Sequence, residues 1–196
     1  MRTRTVVRSV TFASASRHVW RSSQWDSRGE LQRAIKVSRS YAIPFGLSLA
    51  SILVRLDGLY GDAAPPLDVL SANLTLLVRS RASHLLDLDV VKRRLAHAPD
   101  HVSPHAESGM TRLLYDCASA PVTPAGPNVR LAVATHAGTS PDPAGGVERD
   151  GIVYELFLST FPSPAFTTSD ILELYLHRGS FETVLADEDK EQDADR

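Results

Sequence analysis

The sequence has few of the residue types on which several functional classes depend. Cys117 is the single cysteine in 196 residues, which excludes an internal disulfide and a cysteine-based zinc site. One cysteine fits a reducing compartment, so we expect a cytoplasmic protein. No apolar run reaches the roughly 18–20 residues that span a bilayer. The longest run, residues 43–54, is interrupted by Pro44 and Gly46, so we expect no membrane partner.

Acidic residues are scarce at one end of the chain and concentrated at the other. Residues 1–40 contain nine Arg or Lys and only two acids, Asp26 and Glu30, whereas residues 171–196 contain eight acids and three Arg or Lys. The net charge of −2 hides this asymmetry. The basic segment could contact DNA phosphates, or it could be a solvated or disordered tail. Phosphate-binding Walker loops, dinucleotide-binding glycine patterns and nucleophile elbows are absent from the sequence.

Residues 50–79 have the pattern of a parallel βαβ unit. Residues 50–56 are apolar and rich in branched side chains, and they end at Asp57-Gly58, as a buried strand that enters a loop does. Pro65 and Pro66 suit the first turn of a helix, which we expect to cover about 67–72. A second strand is predicted over 74–79. Another helix is predicted over 89–96, with Asp89 of the Asp87-Leu-Asp89 pair as its N-cap.

Between residues 99 and 151 the composition changes, because Pro and Gly become frequent. Short β-type segments at 111–117, 129–135 and 152–160 are separated by turn-rich stretches. This pattern predicts antiparallel hairpins with long loops. His97, His101 and His105 recur every four residues, but Pro99 and Pro104 prevent the continuous helix that would place them on one face.

The last predicted helix covers 169–186. It follows a capping-box pattern in which Asp170 comes three residues after Thr167. Tyr175, Arg178 and Glu182 stand at positions i, i+3 and i+7, so they share one helix face. That arrangement suits either a buried structural pair or a site. An acidic stretch follows to Arg196 with no closing apolar element, and we therefore expect a truncated domain.

These features together resemble the DDE-type insertion-sequence transposases, in the branch with a β insertion and a Tyr-Arg-Glu-Lys signature. The resemblance extends over about residues 50–196, and the signature helix is its most specific part. The matching stretches are 55–61 around the second catalytic Asp, 150–157 leading out of the insertion, 174–182 in the signature helix and 188–192 after it.

The resemblance implies an α/β fold, with an incomplete ribonuclease-H-like core and an antiparallel β insertion. It divides the chain into a basic segment (1–40), a partial core (41–98), the insertion (99–161), and the signature helix with an acidic tail (162–196). Asp57 and Glu182 are the implied second and third catalytic carboxylates and ligands of Mg²⁺ or Mn²⁺. Tyr175, Arg178 and Lys190 are the implied contacts to DNA phosphates, and Lys190 stands one residue after the position that the family spacing gives.

The first catalytic Asp of the family lies on an earlier strand. Asp26 is the only Asp before Asp57 and stands in a polar segment, so we expect one of three metal ligands to be missing. The resulting hypothesis is a transposase fragment that acts on transposon ends but is inactive alone. Two alternatives stay open. One is a truncated regulator that binds DNA, a full-length relative or itself, and the other is a remnant open reading frame.

Overall fold

The computed structural model describes residues 8–11, 27–104, 110–117, 119–138 and 146–176, which form a mixed α/β fold with an open sheet and four α-helices. The helices are α1 (Ser27–Ala42), α2 (Ala64–Ser71), α3 (Asp89–Leu95) and α4 (Thr168–Leu176). The strands are β1 (Arg8–Thr11), β2 (Ile52–Leu56), β3 (Thr75–Ser80), β4 (His101–Pro104), β5 (Thr111–Asp116), β6 (Ala120–Pro121), β7 (Asn128–Ala137), β8 (Val147–Arg149) and β9 (Ile152–Ser159).

The parallel part of the sheet consists of β1, β2 and β3, in that spatial order. Strands β2 and β3 are joined through α2, and Leu56 of β2 is paired with Val78 of β3. Pro65 and Pro66 lie in the first turn of α2, where a missing backbone N–H costs no helical hydrogen bond. The predicted parallel βαβ unit is therefore confirmed.

The rest of the sheet is antiparallel and continues from β3 in the order β9, β7, β5, β4. The longest pairing joins β7 to β9, from Arg130 opposite Ser159 to Ala137 opposite Ile152. Strand β9 also pairs with β3, with Val78 opposite Leu158. The three β segments predicted between 111 and 160 are thus present, and they extend the sheet of the βαβ unit directly.

Helices cover both faces of this sheet. Successive strand residues point to opposite sides, so each face has its own apolar cluster. One apolar cluster joins Leu31 of α1, Val69 of α2 and Val91 of α3 to strand residues such as Val54 and Leu156. The other joins Ile171 and Leu172 of α4 to Leu53, Leu77 and Phe157. All five residues of β2 are buried, as expected for a strand covered on both faces.

Two expectations from the sequence need revision. The 16-residue helix α1 was not predicted, and the expected segment boundary after residue 40 falls inside it. The predicted N-cap of α3 is wrong, because Leu88 holds the cap position and makes no side-chain cap hydrogen bond. Asp87 instead accepts a hydrogen bond of 2.7 Å from Arg149, which lowers the pKa of its carboxyl group.

Cys117 is buried in the first apolar cluster. Burial disfavours the charged thiolate and raises the pKa of the Cys117 thiol to about 12. The side chain therefore behaves as a small apolar residue. Within the described ranges, none of the helices combines the length and the apolar character that a membrane crossing requires.

Candidate functional site

Asp57 lies directly after β2, at the carboxyl end of the parallel strands, and its exposed fraction is 7%. The chain then turns into a short 3₁₀ helix, in which the backbone N–H of Tyr60 donates to the carbonyl oxygen of Asp57. Gly61 follows, and a Cβ atom there would lie 2.7 Å from the carbonyl oxygen of Arg79. Only glycine therefore allows the loop after Asp57 to pack this closely on the end of β3.

Two guanidinium groups from β3 and the residue after it point at this loop. A Cβ atom on Gly58 would lie 3.4 Å from Nε of Arg81 and 3.7 Å from Nε of Arg79. The missing side chain of Gly58 thus leaves space that both arginines approach, next to Asp57 in the sequence. Two guanidinium groups this close to one point can attract an anion, while Arg79 also faces the carboxylate of Glu155 at 3.8 Å.

The pKa of Tyr60, in the same loop, is affected by the charges around it. Its pKa is raised above the ordinary value, mainly by burial, which disfavours the phenolate, and further by the negative charges of Asp57 and of Glu30 on α1. Glu30 in the first turn of α1 and Asp57 at the end of β2 therefore both affect the pKa of Tyr60. Tyr60 stays protonated at neutral pH and is available as a hydrogen-bond donor.

Helix α4 begins with the predicted capping box, which the structure confirms. The backbone N–H of Asp170 donates to Oγ1 of Thr167 (3.1 Å), and the N–H of Thr167 donates to Oδ2 of Asp170 (2.7 Å). Buried arginines of the sheet fix both ends of the helix segment. Arg130 donates to the carbonyl oxygen of Phe166 (2.7 Å), and Arg55 donates to that of Leu174 (2.6 Å).

Tyr175 of α4 is buried against the sheet, where its ring centroid lies 5.1 Å from that of Phe157. The guanidinium carbon of Arg79 lies over the same ring, 5.4 Å from its centroid, at a distance typical of a cation–π contact. Arg79 therefore spans from the loop after Asp57 to the helix that carries Tyr175. This side chain links two of the residues that the sequence singled out.

A second carboxylate, Glu155 of β9, is buried on the same face of the sheet, with an exposed fraction of 5%. Nε of Arg112 donates to its Oε2 at 2.6 Å, Nη1 of Arg79 lies 3.8 Å from its Oε1, and Nε2 of His136 lies 3.9 Å from its Oε2. We call these four residues the Glu155 cluster. Its carboxylate is committed to the guanidinium groups of Arg112 and Arg79, which is the arrangement a buried charge requires.

The structure describes two of the five predicted site residues, Asp57 and Tyr175. Both belong to the α4-facing side of the sheet, connected through Arg79. Arg178, Glu182 and Lys190 lie outside the described residues, as do Asp26 and the end predicted for the last helix at Ala186.

Sequence reasoning missed Arg79, Arg81 and the Glu155 cluster as site components. A signal existed for Glu155, since it alternates with Val153 and Phe157 on one face of β9, and that face is buried. A charged residue on a buried strand face must find a partner, although the sequence does not reveal which one.

Among the described residues, no group of three or more His, Cys, Asp or Glu side chains is arranged to hold a metal ion. Asp57 has arginines beside its loop, and Glu155 is bound by Arg112, so these two described carboxylates do not by themselves form a site for a pair of divalent cations. His97 follows α3 and His101 lies in β4, so they do not share a helix face; His105 is outside the described ranges.

Comparison with known proteins does not assign this chain to a family. No model of a protein family matches the sequence, and no curated protein matches it.

Proposed function

We infer that this chain is a fragment of a DDE-type transposase, built on a ribonuclease-H-like core with a β insertion, in which Asp57 and Glu182 are the second and third catalytic carboxylates. The observation that supports this proposal best is the position of Asp57 and α4. The Asp follows the middle one of the three parallel strands, at the carboxyl end, where α/β folds place their sites. The helix with Tyr175 packs on the same side, and Arg79 connects the two.

The order of elements also agrees with the proposal. A strand ending in Asp57, a second parallel strand and a series of antiparallel strands precede the helix that begins the Tyr-Arg-Glu-Lys signature. In an intact enzyme of this class, Mg²⁺ or Mn²⁺ would supply stabilisation of the attacking and leaving oxygens during phosphoryl transfer. In this chain, Asp57 and Glu182 would be the ligands, and Tyr175, Arg178 and Lys190 would contact DNA phosphates.

We propose further that the chain alone does not catalyse transposition. The resemblance places the missing carboxylate on an earlier strand, and β1, the strand beside β2 on the side away from β3, consists of Arg8, Ser9, Val10 and Thr11. No acid occurs before Asp26 in the sequence. Two carboxylates hold a pair of hard divalent cations less well than three.

The experiment for this proposal is nicking of supercoiled DNA in Mg²⁺ or Mn²⁺, by the purified chain and by its Glu182→Ala variant. Circular dichroism establishes first that both are folded. We expect no nicking by either protein. Nicking that Glu182→Ala and Asp57→Ala both abolish would establish a metal-dependent enzyme and overturn the inactivity. Nicking that survives both substitutions would contradict the assignment of the two carboxylates.

A second candidate function is a regulator that binds the DNA ends without cutting them. The observation that favours it is the approach of Arg79 and Arg81 to the space over Gly58, because two guanidinium groups can hold phosphate oxygens without a metal ion. Binding of a duplex that weakens steeply with salt concentration would support this candidate. No binding at low salt by the folded chain would exclude it.

A further inference from the structure

Helix α1 and the turn after it expose a continuous group of large apolar side chains. We call this group the α1 patch, and its members have exposed fractions between 36% and 68%. Five of the nine large apolar side chains exposed in the described residues belong to it. Clusters of this kind with polar surroundings are typical of contact surfaces. The α1 patch consists of Val37, Tyr41, Ile43, Phe45 and Leu47.

The α1 patch is held in a defined conformation. On its inner side, α1 buries Leu31 and Ile35. The turn after the helix is closed by backbone hydrogen bonds from Gly46 to Ile43 (3.1 Å) and from Leu47 to Ala42 (3.0 Å). Gly46 has a φ of +63°, a conformation that glycine adopts without strain. The rings of Tyr41 and Phe45 pack together, with centroids 4.8 Å apart. The turn therefore fixes these side chains on the outside.

Beyond Glu30 in its first turn, α1 carries only positive charges next to the α1 patch. Arg33, Lys36 and Arg39 are exposed on the same helix, and none forms an ion pair with another described residue. The sequence contains no acid between Glu30 and Asp57. An occupant of this surface must therefore combine apolar side chains with negative charge. Two copies packed patch to patch would place these cations against each other, which disfavours a symmetric dimer.

The chain itself contains a segment with the required chemistry. Residues 184–186 are Val, Leu and Ala, and residues 187–195 follow with six acids and one lysine. Val184 stands eight residues after Leu176, so in an extended chain it can lie up to ~27 Å from the end of α4, and the acids that follow reach further. Because α4 and α1 cover opposite faces of one sheet, the docking requires the chain after Leu176 to pass around the sheet edge in extended form rather than as a continuation of the helix.

We propose that the segment 184–195 of the same chain docks on the α1 patch, with its apolar residues on Tyr41 and Phe45 and its acids beside Arg33, Lys36 and Arg39. This contact covers an apolar surface that is otherwise open to water and pairs the basic end of the chain with its acidic end. The docked segment contains Lys190 and begins two residues after Glu182, so this contact and the DNA-bound arrangement proposed above exclude each other.

Carbodiimide cross-linking of the full-length chain tests the contact, since this reagent joins an amine to a carboxylate without a spacer. Lys36, Lys92 and Lys190 are the only lysines, so the link is easily located by mass spectrometry, and Lys92 on α3 serves as the internal control. We expect Lys36 to be joined to residues 187–195 within a monomer, with a yield at least about threefold lower in 0.5 M NaCl because salt screens exposed charges. Lys36→Arg must abolish this link.

A second measurement does not depend on lysine chemistry. Replacing Asp187, Glu188 and Asp189 by Asn, Gln and Asn in the full-length chain should release the segment and increase binding of an apolar fluorescent dye. Adding Tyr41→Ser and Phe45→Ser to that variant should remove the increase. The proposal is overturned if Lys36 is joined to no tail acid in the folded chain, if it is joined only within dimers, or if the tail substitutions leave dye binding unchanged.

Discussion

Arg55 of β2 donates a hydrogen bond from Nη1 to the backbone carbonyl oxygen of Leu174 in α4, across 2.6 Å in space and 119 residues in sequence. Arg55 is buried and stands two residues before Asp57, while Leu174 immediately precedes Tyr175. The strand that ends at Asp57 and the helix that carries Tyr175 are therefore joined by a direct bond. Their relative position is a property of the packed core rather than of a loop.

Arg55→Met should destabilise the fold by about 1.5–3 kcal/mol, the range for a hydrogen bond that involves a charged group. Methionine keeps much of the apolar stem but leaves the Leu174 carbonyl without this donor. Urea unfolding followed by circular dichroism measures the effect. Arg93→Met on the exposed face of α3 is the matched control, and it should change stability by less than about 0.5 kcal/mol. Equal midpoints for the two variants would contradict the role given to Arg55.

Glu155→Gln should be among the most damaging single substitutions in the sheet. It removes the negative charge that Arg112, Arg79 and His136 face, and a buried cation without its counter-charge costs about 3–5 kcal/mol. Glu148→Gln in the exposed neighbouring strand β8 is the control and should be near neutral. Urea unfolding of both variants measures the difference.

The double variant Glu155→Met/Arg112→Met sharpens the same prediction. Replacing both members of the closest pair removes the unpaired charge of Arg112 and leaves only Arg79 without its counter-charge, so it should recover part of the stability lost in Glu155→Gln. A double variant at least as unstable as the sum of its single substitutions would show that the two residues do not act as a pair.

The sequence predicted those features that local pattern determines. The run of branched apolar residues before Asp57 gives β2, because a short apolar stretch closed by Asp-Gly has few other solutions. The spacing of Thr167 and Asp170 gives the start of α4, since both hydrogen bonds of the capping box lie within one helical turn. Both features could be predicted from neighbours in the sequence.

The features that were missed depend on residues far apart in the chain. Helix α1 has a weak apolar stripe among cations, and it is held by Leu31, Ile35 and an ion pair between Arg28 and Asp68, 40 residues away. Arg112 and Glu155 are 43 residues apart and meet only because β5, β7 and β9 are neighbours. Such partners are set by sheet order, which the sequence pattern alone did not give.

The stability of the fold should depend on pH through Asp68. The hydrogen bond from Arg28, at 2.8 Å, holds the pKa of the Asp68 carboxyl below its ordinary value of 3.8. A lowered folded-state pKa gives stability that is present above the unfolded value and is lost as pH falls through the folded value. Below about pH 4, the wild type should therefore lose more stability than Asp68→Asn.

The size of this difference should be small, because Arg28 is largely exposed and solvent screens the pair. The quantity to measure is the difference in free energy of unfolding between the wild type and Asp68→Asn. We expect this difference to be about 0–1 kcal/mol larger at pH 6 than at pH 3. Asp62→Asn, at an exposed acid, corrects for the general effect of removing one carboxylate. If this difference in unfolding free energy grew as the pH fell, the assigned direction of the Asp68 pKa shift would be wrong.

Cys117 should resist alkylation in the folded chain. Its thiol is buried and its pKa is raised to about 12, so little thiolate exists at pH 8. Iodoacetamide should leave the folded protein unmodified over an hour and should label it completely in urea, and intact mass detects both results because there is one cysteine. Rapid labelling without denaturant would mean that the first apolar cluster opens at low cost.

Arg81 should contribute to DNA affinity, and its contribution should appear in the salt dependence of binding. If Arg79 and Arg81 hold a phosphate at the space over Gly58, Arg81→Gln removes one such contact. The slope of log affinity against log salt concentration should then become shallower by about 0.9 for a duplex. Fluorescence anisotropy with a labelled duplex, at several salt concentrations, measures this slope.

Arg93→Gln on α3 removes the same charge from an exposed face and should leave the slope within error. If both variants reduce it equally, binding follows overall charge, and the space over Gly58 has no special part in it.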